Sequence, residues 1–207
     1  MTTPTRDHVL AAAVRLYAEH GFRGTTTRRI AEEAGVNEVT LFRQFGSKTA
    51  LLLEALRSHE MFSRGANALP DAPVDPLAEL TAFATGMRKA LHGTRATIRK
   101  AMAEFEENPE MPRCMTHGAA AIHAAVQSYF EKLGALGYIS DTKSIPAAKA
   151  MLMSAIFHDA LHRDIDPHSF PQPASGAPAT YARLCLQSLG FQPVAARRPR
   201  TAKRRVS

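Results

Sequence analysis

The sequence predicts an all-α chain, with a small N-terminal unit of three helices and a larger C-terminal helical bundle. Apolar side chains recur every three to four positions through nearly the whole chain, and alternation at every second position is hard to find. Glycine and proline punctuate these stretches, as at Gly21, Gly46, Gly93 and Pro109. Apolar residues make up 45% and charged residues 22% of the 207, which is globular usage and excludes wholesale disorder.

The first helix is read over residues 9–20, where Val9, Leu10, Ala13, Leu16, Tyr17 and His20 form one stripe and Gly21 stops it. Two short helices follow, near 26–34 and 38–44, separated by Ala34-Gly35-Val36. Glycine there suits the positive φ needed to leave the first helix at a sharp angle. Asn37 caps the second, its side-chain oxygen accepting an otherwise orphaned backbone N–H. Gly46 ends that piece, and Ser47 caps a longer helix running to about residue 67.

A proline-bearing linker, Leu69-Pro-Asp-Ala-Pro-Val, separates the two halves. Asp75 followed by Pro76 is a helix start, the cap first and the proline where no N–H is needed. Helices are expected at roughly 76–92, 94–108, 112–135, 144–163 and 178–190. Pro167, Pro171, Pro173 and Pro178 make 164–178 an extended connection. Beyond Pro193 the composition is basic and nearly core-free, so a disordered tail is expected over 193–207.

The net charge of +7 resembles a nucleic-acid footprint, but its location changes its meaning. Arg197, Arg198, Arg200, Lys203, Arg204 and Arg205 crowd the C-terminus; without them 20 basic side chains face 19 acidic ones. A duplex-binding surface in the body therefore has to come from local placement of a few cations. No run of about 18 uncharged apolar residues occurs, so a spanning helix and a membrane partner are excluded. The N-terminus lacks a basic patch followed by an apolar core, so no secretory signal is expected. Two cysteines, Cys114 and Cys185, fit a reducing cytoplasm rather than a disulfide framework.

The stretch from Gly21 to Lys48 carries the most specific signal. Ile30, Ala31, Ala34, Val36 and Leu41 form the inner face of two short helices, and the small Ala31 and Ala34 permit a tight crossing. The outer face of the second helix shows Glu38, Val39, Thr40, Arg43 and Gln44. A helix with one buried stripe and a protruding N-terminal end fits a major groove. The bland alternative is a solvated helical surface.

These residues resemble the TetR family of bacterial transcriptional repressors. The resemblance rests on Gly21-Phe22, Thr25-Thr26, Ile30-Ala31, Ala34-Gly35-Val36, Thr40-Leu41-Phe42 and Phe45-Gly46-Ser47-Lys48, and spans about residues 8–53. It implies nine or so helices and a homodimer on a near-palindromic double-stranded DNA operator. A helix-turn-helix DNA-binding domain is expected over 1–48, a ligand-binding and dimerisation bundle over 49–192, and the basic tail over 193–207. Phe42 stands where the family usually has Tyr, and Gln44 where it usually has His. Val39 replaces a usual Gly and offers contact to a thymine methyl.

Within that reading Thr25, Thr26 and Thr27 offer hydroxyls and helix N-terminal amides to phosphate. Arg28, Arg29 and Lys48 are expected to neutralise phosphates. Gln44 can donate to phosphate, and Thr40 and Arg43 are the candidates for reading base edges. Asn37, Glu38, Val39 and Phe42 complete the expected surface.

For the C-terminal half, Phe83, Met87, Leu91, Met102, Phe105, Met111, Met115, Ile122 and Val126 are candidates to line a cavity. Methionine is flexible and polarisable, so such a cavity accepts apolar molecules of different shapes. The resemblance implies a small effector there that releases the operator; the alternative is ordinary core filling. The helix near 144–163 is apolar around most of its circumference and needs cover on both sides. Ala147, Ala150, Met151, Ser154, Ala155 and His158, with Tyr181, Leu184, Cys185 and Ser188 of the last helix, are expected to form a four-helix dimer interface.

His158 and His162 lie at i, i+4, a spacing that can bind metal, but no third ligand is set by the sequence. No P-loop, Gly-x-Gly-x-x-Gly or Gly-x-Ser-x-Gly occurs. Glu104, Glu106, Glu107 and Glu110 read as a solvated edge. No enzyme activity, cofactor or resident metal is therefore expected. Two rivals stand beside the regulator: an effector-independent architectural DNA-binding protein using the basic tail, and a small-molecule-converting helical enzyme.

Overall fold

The computed structural model of the chain describes residues 6–58, 69–103 and 111–192, with residues 56–58 and 111–118 described in their backbone alone. Among the described residues all regular structure is helical. The helices are α1 (Arg6–Gly24), α2 (Thr27–Ala34), α3 (Glu38–Phe45), α4 (Lys48–Ser58), α5 (Pro76–Gly93), α6 (Arg95–Ala103), α7 (Met111–Ala135), α8 (Ile145–His162) and α9 (Ala177–Ser188). The proline-rich connection is not wholly extended: Pro167–Ser169 form a short 3-10 turn that starts on a proline. Phe105, the Glu104–Glu110 carboxylates, the expected end of the fourth helix and the basic tail lie outside the described residues.

Local chemistry sets the helix ends. Gly21 takes φ 69°, ψ −174° and kinks the last turn of α1. Gly35 takes φ 67° and closes α2, its N–H reaching the carbonyls of Ala31 and Glu32. The side chains of Thr26, Asn37, Ser47 and Asp75 accept from Arg29, Val39, Ala50 and Ala78 backbone amides, so each of α2, α3, α4 and α5 begins on a satisfied cap.

Two apolar clusters result. The first joins Val9, Leu10, Leu16 and Tyr17 of α1 to Ile30, Ala31, Ala34, Leu41 and Phe45. Leu51, Leu52 and Ala55 of α4 belong to it, so a boundary after Lys48 cuts through its core. The second fills the bundle of α5, α7, α8 and α9, around Phe83, Val126, Tyr129, Phe130, Leu152, Ile156 and Leu186. Helix α6 serves both: Ile98 packs into the bundle and Ala101 into the N-terminal core. On one side Arg99 bonds Asp164 and the Leu161 carbonyl at the end of α8. On the other, Lys100 Nζ donates to the Ala18 and Glu19 carbonyls of α1, both at 2.9 Å.

Asp159 is the charged centre of the bundle and is fully buried. Its carboxylate accepts from Arg88 Nε (2.6 Å), Arg163 Nε (2.8 Å) and Nη2 (2.5 Å), and the Tyr181 hydroxyl (2.6 Å). Burial pushes this carboxyl up, but the bonds from Arg163, Tyr181 and Arg88 outweigh it and bring the pKa down to about 2.

This network corrects part of the expected dimer surface. The Tyr181 hydroxyl is held by Asp159 inside one chain. Cys185 is buried, its thiol donating to the Ala148 carbonyl, and burial pushes that thiol up to about 12. Both side chains join α9 to α8 within the protomer, because they lie on the face of α9 that turns toward α8. Ala147, Ala150, Met151, Ser154, His158, Leu184 and Ser188 are exposed, and Ala155 is half-buried.

Candidate nucleic-acid interface

Helix α3 presents two chemically different faces. Leu41 and Phe45 are buried in the N-terminal core. Val39 is 72% exposed and Phe42 50% exposed, unusual for large apolar side chains on a short helix. Arg43 and Gln44 are exposed beside them, and Thr40 is half-buried. Arg43 has no hydrogen bond or ion pair among the described residues. The protruding face therefore offers an unengaged guanidinium, a carboxamide and two apolar contacts, a mixture suited to base edges and thymine methyls.

The residues expected to hold phosphate divide into two groups. Thr26 and Arg29 are exposed at the start of α2, with Arg29 Nη1 also donating to the Gly24 carbonyl at 3.0 Å. Arg28 is exposed and donates to Glu32 at 2.9 Å; that hydrogen bond raises its pKa above the ordinary guanidinium value. These three line the approach to α3.

Thr25, Thr27 and Lys48 do otherwise. Thr25 is fully buried, and its hydroxyl donates to the Gly21 carbonyl at 2.7 Å, closing the kink at the end of α1. It has no hydroxyl to offer a phosphate. The Thr27 hydroxyl donates to Glu38 at 2.5 Å. Lys48 Nζ donates to the Phe22 carbonyl at 2.8 Å and sits 3.9 Å from the centre of the Phe22 ring. Lys48 thus ties α4 to the end of α1, a role its motif position did not reveal. Asn37 is a cap, its oxygen taking the Val39 amide at 2.9 Å.

In the bundle, Phe83, Met87, Leu91, Ile122 and Val126 are all buried in one apolar cluster, an arrangement that ordinary core filling also produces. Met102 is a correction: it is 41% exposed, because α6 turns Ile98 and Ala101 inward instead. The side chains of Met111 and Met115 lie outside the described residues. His158 and His162 stack with ring centres 4.4 Å apart, and His158 also meets Phe170 at 5.3 Å. Among the described residues no three His, Cys, Asp or Glu side chains form a metal-holding group, and the neighbouring Asp159 is engaged by two arginines and a tyrosine. No described helix is long and apolar enough to cross a membrane.

Residues 9–55 match the family described as bacterial regulatory proteins, tetR family. The uncharacterized HTH-type transcriptional regulator YvkB of Bacillus subtilis strain 168 is 30% identical over 160 residues, covering 77% of this chain and 83% of the relative. The HTH-type transcriptional repressor KstR2 of Mycolicibacterium smegmatis is 29% identical over 110 residues, 52% of this chain and 53% of that one. Among solved structures, Salmonella enterica GusR superposes with a TM-score of 0.70 at 25% identity, covering 90% of this chain and 95% of its own. The fatty acid degradation regulator FadR of Bacillus halodurans gives 0.69 at 17% identity, over 93% and 100% of the two chains.

Proposed function

The chain belongs to the TetR family of bacterial regulatory proteins, and from that premise we propose that it is a cytoplasmic, homodimeric repressor released from its operator by a small, largely apolar effector. DNA-binding regulation follows from the family, and the dimer, the effector and the residue roles are part of the proposal. The observation that carries it is the exposed face of α3, where Val39, Phe42, Arg43 and Gln44 protrude from a helix whose Leu41 and Phe45 are locked into a core.

Selection from random duplexes tests the reading directly. The full chain is expected to enrich a near-palindromic site, and Arg43→Ala and Thr40→Ala to weaken it. A bidentate base contact is worth about 1–3 kcal/mol, so loss of Arg43 should cost roughly 5- to 150-fold in affinity for each half-site. Unchanged affinity in both variants defeats the assignment.

The dimer reading is supported by Met151, 68% exposed on α8, and Leu184, 53% exposed on α9, flanked by Ala147, Ala150, Ser154 and Ser188. Small residues around two apolar knobs suit close helix contact across a two-fold axis. The effector reading rests on the family, and the buried cluster of Phe83, Met87, Leu91, Ile122 and Val126 is the apolar core that such a ligand would have to enter. A ligand that favours one spacing of the two DNA-binding heads is expected to lower operator affinity. A thermal-shift screen followed by operator release for each hit tests this: compounds that bind and never release DNA speak against it.

A further inference from the structure

We infer that Glu38 reads cytosine, one in each half-site of the operator, from a position that Thr27 holds in place. The inference rests on the reading that α3 enters the major groove. Glu38 is the first residue of α3 and Thr27 the first residue of α2. Oε1 of Glu38 accepts the Thr27 hydroxyl at 2.5 Å, so this hydrogen bond joins the starts of the two helices of the motif. Oε2 has no hydrogen-bond partner among the described residues, and the side chain is half-buried rather than free to sweep through solvent.

A carboxylate facing a polyanion is unfavourable unless it meets a donor. Guanine and thymine present acceptors toward the major groove, which repel it. Adenine sets its amino group beside the N7 acceptor, a pair matched by a carboxamide. Cytosine presents the N4 amino donor, which a glutamate accepts. With one oxygen engaged, Glu38 has a single acceptor to offer, which matches a single donor. The Arg28 guanidinium lies close enough for Glu38 to contribute, after the dominant Glu32, to its raised proton affinity, so a cation stands by to temper repulsion from the backbone. An acid in the first turn also favours the helix dipole, but that role requires no bond across to α2.

The test is selection from random duplexes with the full-length chain, Glu38→Gln, Thr27→Ser and Thr27→Val. The native chain is expected to enrich a C·G pair at one symmetric position, and replacing that cytosine by thymine in one half-site to weaken binding roughly 5- to 150-fold. In Glu38→Gln, with the side-chain oxygen still held by Thr27, an amide donor faces the groove in place of the acceptor, so the preference at that position should leave cytosine for a base presenting an acceptor, and the other positions should stay unchanged. Thr27→Ser should keep the cytosine preference and Thr27→Val should blunt it. Should Thr27→Val fail to fold, Glu38→Gln decides alone. The same consensus from the native chain and Glu38→Gln overturns the inference, as does a uniform gain in affinity for every sequence, which would make the glutamate merely repulsive. If the native chain enriches nothing, the operator-binding reading itself fails; if it enriches a site that Glu38→Gln reads identically, only the cytosine assignment fails.

Discussion

Arg43 and Lys48 both belong to the motif, yet they meet different surroundings. Arg43 is exposed with no hydrogen bond or ion pair among the described residues, whereas Lys48 lies over the Phe22 ring and donates to the Phe22 carbonyl. A cation over an aromatic face contributes about 0.5–2 kcal/mol, and a charged hydrogen bond adds to it. Lys48→Ala is therefore expected to lower the stability of the chain by about 1–2 kcal/mol in urea unfolding. An unchanged midpoint with a large loss of operator affinity would return Lys48 to the phosphate.

Asp159 gives the residue scale its pH dependence. Its carboxyl titrates near 3.8 when unperturbed and at about 2 in the folded chain. Because the folded value is depressed, the stabilisation is fully present above about pH 4 and is lost as pH falls through about 2. Removing one partner of a buried pair strands the remaining charges, at a typical cost of about 3–5 kcal/mol. Asp159→Asn is expected to unfold at lower urea and to flatten the decline in stability between pH 4 and pH 2, measured as the urea midpoint against pH. A parallel acid limb in both proteins would show that other carboxylates govern it.

At the scale of elements, the turn between α2 and α3 determines how α3 is presented. Gly35 sits at φ 67°, where an added Cβ meets no neighbour within 4 Å, so a substitution there is strained by the backbone alone. Gly35→Ala is expected to cost about 1–2 kcal/mol of stability. It should also weaken operator binding at temperatures where the chain remains folded, since relief of the strain changes the angle between the two helices. Full operator affinity in a destabilised Gly35→Ala chain would show that the angle is held by the core of Ile30, Ala34 and Leu41. Helix α6 is the other decisive element, with consecutive residues Arg99 and Lys100 gripping the end of α8 and the end of α1.

At the scale of the whole molecule, the open question is what covers the outer face of α8 and α9. Burying a large apolar side chain contributes about 1.5–3 kcal/mol, and in the proposed two-fold dimer each gain would count twice. Met151→Glu combined with Leu184→Glu is expected to produce monomers in sedimentation at micromolar concentration. The same change should weaken binding to a two-half-site operator while leaving each head folded. A double variant that remains dimeric would place the interface elsewhere.

Helix order, the caps at Asn37, Ser47 and Asp75, and the glycine between α2 and α3 were legible in the chain because each depends on residues within about one turn of one another. The exposed face of α3 was legible for the same reason, periodicity being local. The destination of individual polar groups was not. Threonines 25, 26 and 27 are chemically identical, but one closes the kink at Gly21, one caps α2 and one holds Glu38. Likewise Tyr181 and Cys185 share the periodicity of Leu184, yet they face α8 inside the chain while Leu184 faces outward. A spacing pattern says which residues share a helical face; only the packing of distant segments decides what that face meets, and with it which donors and cations remain free for another molecule.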